Sequence, residues 1–134
     1  MKKLLLFACL IVSAASFAQT ATPTTPAAPI EFKTVKYSFG KVPQNVPVTT
    51  SFTFTNKSDK PVIIETATAE CGCTTPEYPK TPILKGKAAE IKVTYNAAAA
   101  GRFTKNVHVK IAGVQQPVQL TIDGEVVTAP AKSK

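Results

Sequence analysis

Apolar and polar residues alternate along much of the chain. Phe52 and Phe54 are interleaved with Ser51, Thr53 and Thr55, and Ile91, Val93 and Tyr95 with Glu90, Lys92 and Thr94. Val107, Val109 and Ile111 alternate with Asn106, His108 and Lys110, and Val118, Leu120 and Ile122 with Gln119, Thr121 and Asp123. Successive side chains of a strand point to opposite faces, so a two-residue period marks a strand with one face in a core and one in water. Val35, Tyr37 and Phe39 suggest a first strand by the same rule, and Val62-Ile63-Ile64 a shorter one. The inward set predicted from this parity is Phe39, Phe52, Phe54, Ile64, Ile91, Val93, Tyr95, Val107, Val109, Ile111, Leu120 and Ile122.

Turn signals separate the runs: Gly40 with Pro43 and Pro47, the stretch Asn56 to Pro61, Lys85-Gly86-Lys87, Gly101 and Gly113. No segment carries an apolar stripe of helical period. The alanine run Ala97 to Ala100 has helix propensity but is too short to nucleate a helix and meets Gly101. About seven short strands at this spacing predict an all-β, immunoglobulin-like antiparallel β-sandwich.

The first residues read differently. Met1-Lys2-Lys3 precede an apolar run from Leu4 to Val12, and small residues at Ser16 and Ala18 follow. That order is a secretory signal peptide, with cleavage expected after Ala18. The run is about half of the ~20 apolar residues a membrane-spanning helix needs. Cys9 lies inside the run, with Leu10-Ile11-Val12 after it, which does not suit a lipidated cysteine. The expected organisation is a leader at 1–18, a Pro/Thr/Ala-rich linker at 19–30, the sandwich at 31–127 and a disordered tail at 128–134. The expected location is periplasmic or secreted, where disulfides persist.

The formal net charge is +8, two units of which come from Lys2 and Lys3 in the leader. The remaining basic residues fall singly, almost all as lysine, without aromatic interleaving, which excludes a nucleic-acid binder. They read as solvated residues on outward faces, where lysine also discourages edge-to-edge strand pairing. The partner expected is another envelope protein or an anionic surface polymer, with the chain itself monomeric.

The chemical inventory is thin. His108 is the single histidine and sits on the polar parity of its strand. Glu65 and Glu70 read as scattered surface acids, and Asn56-Lys57-Ser58 is formally a glycosylation sequon at a turn. No nucleophile elbow, zinc-protease motif or phosphate-cradling loop is present, so no enzyme activity, metal or cofactor is expected. The unusual feature is Cys71-Gly72-Cys73. Residues two apart in an extended strand lie about 6.6 Å apart, near the upper limit for disulfide Cα atoms. Gly72 lets the chain kink and close that gap. Three readings stand open: a local disulfide that shapes a loop, a redox-active dithiol, or two thiolates holding a soft ion such as copper(I) with His108 as the one further ligand on offer.

Ala69 to Ile83 is long for a sandwich connection and holds Pro76, Pro79 and Pro82 with Tyr78. The prolines stiffen it, and ordered loops on a rigid sandwich are where such domains present binding surfaces. Thr74, Pro76, Tyr78 and Pro79 are the expected interaction loop, shaped by Cys71 and Cys73; the alternative is that Tyr78 covers the core.

From Gly40 to Val126 the sequence also resembles an exported bacterial domain-of-unknown-function family, number fifteen-seventy-three. The residues that carry the resemblance include Phe39-Gly40, Phe52-x-Phe54-x-Asn56, Lys60-Pro61, Cys71-Gly72-Cys73-Thr74, Pro76, Pro79, Ile83, Gly86, Ile91-x-Val93-x-Tyr95, Gly101, Phe103, Lys105 and Gly124-Glu125. Lys85 and the alanine run before Gly101 depart from the family pattern, both at turns. The resemblance implies export and an immunoglobulin-like fold, and no activity. The expectation is an exported non-catalytic interaction or structural module of the cell envelope; the alternative is a thiol-redox or copper(I)-handling protein using the Cys-Gly-Cys pair.

Overall fold

A computed structural model describes residues 29–128; the expected leader, most of the linker and the tail from residue 129 lie outside the described residues. Eight strands follow one another: β1 Ile30–Phe32, β2 Lys36–Pro43, β3 Val48–Asn56, β4 Ile64–Ala69, β5 Thr74–Glu77, β6 Ala88–Tyr95, β7 Gly101–Ile111 and β8 Val118–Val127. They form two four-stranded sheets, ordered β1-β3-β6-β5 and β2-β8-β7-β4. This is an immunoglobulin-like β-sandwich. Every pair is antiparallel except β2 with β8.

The two-residue period decides which faces meet. Of the predicted inward residues, all but Phe39 are buried, with Phe52, Phe54, Ile91, Val93 and Val109 at 0 % exposure. Each such side chain contributes roughly 1.5–3 kcal/mol by leaving water. Phe39 is half-buried because it sits on β2, an edge strand. Its ring packs edge-on to Tyr37 at 5.0 Å and tilted to Phe103 at 6.4 Å, and Phe103 stacks on Tyr95 at 4.1 Å.

The first strand is split between the sheets. Ile30, which the sequence places in the linker, is buried and opens β1, pairing with Asn56 of β3. The chain crosses after Lys33, whose amide donates to the Thr53 carbonyl at 3.0 Å, and continues as β2 beside β8. This crossover produces the parallel pair. A bulge between Ser38 and Lys41 bends β2, with Gly40 at φ 68°.

Two further elements differ from the sequence pattern. The expected strand at Val62-Ile63-Ile64 begins at Ile64 and runs on through Glu-Thr-Ala-Thr-Ala, while Val62 makes a lone bridge to Ile83. Alanine is a weak apolar marker, so Ala67 and Ala69 gave no signal although both pack against the core. Thr74–Glu77, expected as irregular loop, is an edge strand against β6. It contains Pro76, which an edge strand accommodates because its missing N–H costs no ladder bond on the solvent side. Ala97 to Ala100 forms no helix; Ala97 is buried with φ 52°.

Candidate functional site

The connection from β4 to β5 carries the chain from one sheet to the other through Cys71-Gly72-Cys73. Its backbone is tied at each step. The Glu70 amide donates to the Asn106 carbonyl at 3.2 Å, the Thr74 amide to the Cys71 carbonyl at 3.3 Å, and the Asn96 amide to the Cys73 carbonyl at 3.0 Å. The turn brings the two cysteine Cα atoms to 5.3 Å, and their sulfurs lie at disulfide-bonding distance. Both cysteines are half-buried. Gly72 keeps an ordinary φ and nothing occupies the space where its Cβ would stand, so the kink is made by the turn as a whole.

Thr74, expected on the loop surface, is buried at 4 % exposure. Its Oγ1 lies 3.7 Å from the Cys71 sulfur and 3.8 Å from the Cys73 sulfur, so it packs beneath the pair. Thr75 and Glu77 take the exposed positions of β5 instead, because the strand forces side chains to alternate. Pro76, Tyr78 and Pro79 are half-buried. The Tyr78 ring packs against the core, its hydroxyl donates to the Glu65 carbonyl at 3.2 Å, and Lys80 Nζ stands 3.5 Å from the ring centroid. Tyr78 therefore closes the sandwich edge and shows one side to solvent.

A polar cluster on the outer face of the β2-β8-β7-β4 sheet adjoins the cysteines. Asn106 Nδ2 donates to both Glu70 carboxylate oxygens at 3.1 and 3.2 Å, and His108 Nε2 lies 3.4 Å from Glu70 Oε1. Gln119 Nε2 and Thr121 Oγ1 donate to Asn106 Oδ1 at 3.2 and 2.9 Å, which fixes that amide. The Asn106 hydrogen bond, against the opposing effect of desolvation and with His108 adding to it, holds the Glu70 carboxyl below its ordinary value. Glu65 does not join this cluster; it pairs with Lys110 at 2.9 Å. Nothing in the sequence marks the Glu70–His108 contact, since the residues are far apart in the chain; the register Thr68 to His108 is what makes them neighbours.

Among the described residues no three His, Cys, Asp or Glu side chains gather in a way that would hold a metal. His108 turns toward Glu70. An open concavity of about 450 Å³ lies elsewhere, over Gly40 and Gly124 between Lys36, Lys41 and Arg102, with Asp123 and Glu125 on its wall. The Asn56 sequon is closed to glycosylation in the folded domain. Its side chain is fully buried, with Nδ2 donating to the Lys60 and Ile83 carbonyls at 2.8 Å each.

The family described as protein of unknown function DUF1573 matches residues 30–126, and the chain belongs to it. No curated protein matches the sequence. Among solved structures, the chain is similar to a protein of unknown function from Porphyromonas gingivalis W83 at 12% identity and a TM-score of 0.63, covering 72% of this chain and 46% of that one. It thus spans less than half of that protein. It is also similar to the ASH / PapD-like domain of human CEP192, at 10% identity and a TM-score of 0.66, covering 92% of this chain and 100% of that domain. The YadV chaperone matches at 13% identity and a TM-score of 0.53, covering 80% of this chain and 55% of that one. Identities this low speak to fold alone. Among the described residues no helix is long and apolar enough to cross a membrane.

Proposed function

We propose that this member of the DUF1573 family is an exported, non-catalytic interaction module of the cell envelope, and that the segment from Cys71 to Pro79 is a docking surface for another envelope protein or a surface polymer. The observation that carries the reading is the way this segment is held. It is irregular at Cys71-Gly72-Cys73, pinned by three backbone bonds, and ends on a half-buried tyrosine above a rigid sandwich. A surface ordered before binding loses little entropy when a partner docks. Tyrosine adds contact area at a small rotamer cost. The likeness to PapD-like and chaperone domains supports a protein-binding role by fold analogy.

A second reading is favoured by one observation: the bonded cysteines are only half-buried, and Glu70, the residue before Cys71, lies 3.4 Å from His108. In that reading a partner thiolate attacks one sulfur of the Cys71–Cys73 bond, forming an intermolecular disulfide and releasing the other sulfur as a thiolate. A copper(I) role would use the reduced pair.

The test is capture of partners from envelope extract by the mature protein, with Tyr78→Ala and Thr75→Arg in parallel. Thr75 is exposed, so its replacement leaves the fold intact. Loss of the same partner with Thr75→Arg supports the docking surface. Retention of that partner by both variants refutes it.

A further inference from the structure

The sandwich has four free strand margins, and three of them are blunted. β5 is four residues long and contains Pro76. β4 carries an irregularity between Ile64 and Thr66, and Tyr78 bonds to its Glu65 carbonyl. β2 is bent by its bulge and carries Lys36 and Lys41. Bulges, prolines and lysines are the usual devices that stop an edge from recruiting another strand.

The fourth margin is different. β3 runs from Val48 to Asn56, yet β1 pairs only with Phe54 to Asn56, and the last bond on that side is Lys33 to Thr53. Lys57 also donates to Pro29 across this margin, so odd-numbered residues of β3 direct their backbone groups toward it. Among the described residues no strand lies beside Val48 to Phe52, and the N–H and C=O of Thr49 and Ser51 have no ladder partner there. This stretch, Val-Thr-Thr-Ser-Phe, has no charge, proline, glycine or bulge.

The strand that would face β2 in this part of the sandwich is also absent, because the chain crossed over after Lys33. Tyr37 and Phe39 have inward parity and pack on one another, and Phe39 lies 6.4 Å from Phe103, which stacks on Tyr95, the residue paired with Val48 at the start of β3. Even so, Tyr37 is 43 % exposed and Phe39 only partly buried. Val35 at 47 % and Val46 at 49 % flank the same margin. Three of the five exposed large hydrophobic residues among those described therefore border one gap.

We infer that this gap is a docking groove for an extended peptide segment of a partner protein, which adds a strand along Val48 to Phe52 and seats alternate apolar side chains on Tyr37 and Phe39. The inference deepens the interaction-module reading and rests on it, while naming a second surface. The open length suits one short strand, about 17 Å for five residues. Strand addition of this kind draws affinity from backbone bonds and specificity from alternate side-chain seats. From Phe32 to Ser58 there are four lysines and no acidic residue. Lys36 is held by Asp123, Lys57 by Glu31, and Lys41 lines the concavity over Gly40, which leaves Lys33, where the β1 pairing ends, to favour an acidic residue on the peptide. A second copy of this chain fits poorly: in antiparallel β3-to-β3 pairing, its β1 would meet the turn from Gln44 to Pro47.

The experiment is selection from a displayed random-peptide library on the mature protein, followed by amide chemical-shift mapping with the selected peptides. The expected result is peptides with alternating apolar residues and an Asp or Glu, shifting the Thr49 and Ser51 amides. Ser51→Pro removes an edge N–H without touching the ladder to β6, and should weaken binding about tenfold or more. Tyr37→Ala keeps that edge and should weaken binding to a similar extent, which guards against a folding artefact in the proline variant. Ile63→Ala, an exposed apolar residue just before β4 at the far edge of the other sheet, should not matter. Peptides that map to Cys71–Pro79 instead would leave the module reading standing and overturn this one. A library yielding no binder, or a concentration-dependent dimer abolished by Ser51→Pro, would also overturn it.

Discussion

The hydroxyl of Tyr78 donates to the carbonyl of Glu65 at 3.2 Å, joining the segment after β5 in one sheet to β4 in the other. The ring below it packs on the core and the ammonium of Lys80 stands over its face. Tyr78 is therefore part of the fold as well as of the surface. Tyr78→Phe keeps the ring and loses one exposed hydrogen bond, so it should cost at most about 1 kcal/mol. Tyr78→Ala also loses half-buried aromatic area and should cost roughly 2 kcal/mol. Urea unfolding of the three proteins checks the order.

Asn56 organises the opposite end of the sandwich. Its Nδ2 donates to the Lys60 and Ile83 carbonyls, and its Oδ1 accepts from the Ser58 amide at 2.9 Å and the Ser58 hydroxyl at 2.8 Å. Asn56→Leu fits the volume but leaves the Ser58 amide without its acceptor and takes one of two donors from each of the Lys60 and Ile83 carbonyls. The expected loss is about 1–3 kcal/mol, the cost of an unsatisfied buried group. Denaturant melts of the two proteins measure it; a variant as stable as the parent would mean that water replaces the amide.

The Glu70 carboxyl, held below its ordinary value of 4.5 by Asn106 first and then His108, makes stability depend on pH. A depressed folded-state pKa means that the ionised form stabilises the fold above the ordinary value and that this contribution is lost as pH falls through the folded value. Asn106→Ala should move Glu70 back toward 4.5 and flatten the acid limb of the stability curve below that pH. Asp123, held low by Ser38 and Lys36, should titrate as before. A carboxyl-detected NMR titration reads both groups in one experiment.

A Cβ added at Gly124 would stand 2.8 Å from the Gly40 carbonyl oxygen and 2.9 Å from the Phe103 ring. Gly124→Ala must push the bulge of β2 away from β8 or displace the ring. The expected cost is about 1–3 kcal/mol by overpacking. Thermal unfolding checks it, and Gly72→Ala is the control, since nothing lies within 4 Å of that added Cβ.

Period-two alternation made the long strands legible, because burial on one face and water on the other leaves a mark at every position. The short edge elements left little. Ile30 is a single apolar residue after a proline-rich tract, and Thr-Thr-Pro-Glu has no apolar alternation, so β1 and β5 become strands through pairing with β3 and β6. At the candidate site, the Cys-Gly-Cys turn was legible because two cysteines so close in sequence restrict each other. The burial of Thr74 and the meeting of Glu70 with His108 were not, since both depend on register between strands distant in the chain. The split of the first strand, which opens the margin of β3, was hidden for the same reason.

The central claim is that this is a binding module whose cysteines shape a surface. Its most direct test is capture of partners from envelope extract, without reductant, by the mature protein and by Cys71→Ser/Cys73→Ser side by side. The bond spans so short a loop that removing it should cost little stability, and both proteins should remain folded. The module account predicts the same partner on both proteins, released by salt or denaturant and not linked through sulfur. A partner found only on the cysteine-containing protein, as a mixed disulfide released by reductant, would contradict it and establish the thiol-redox reading.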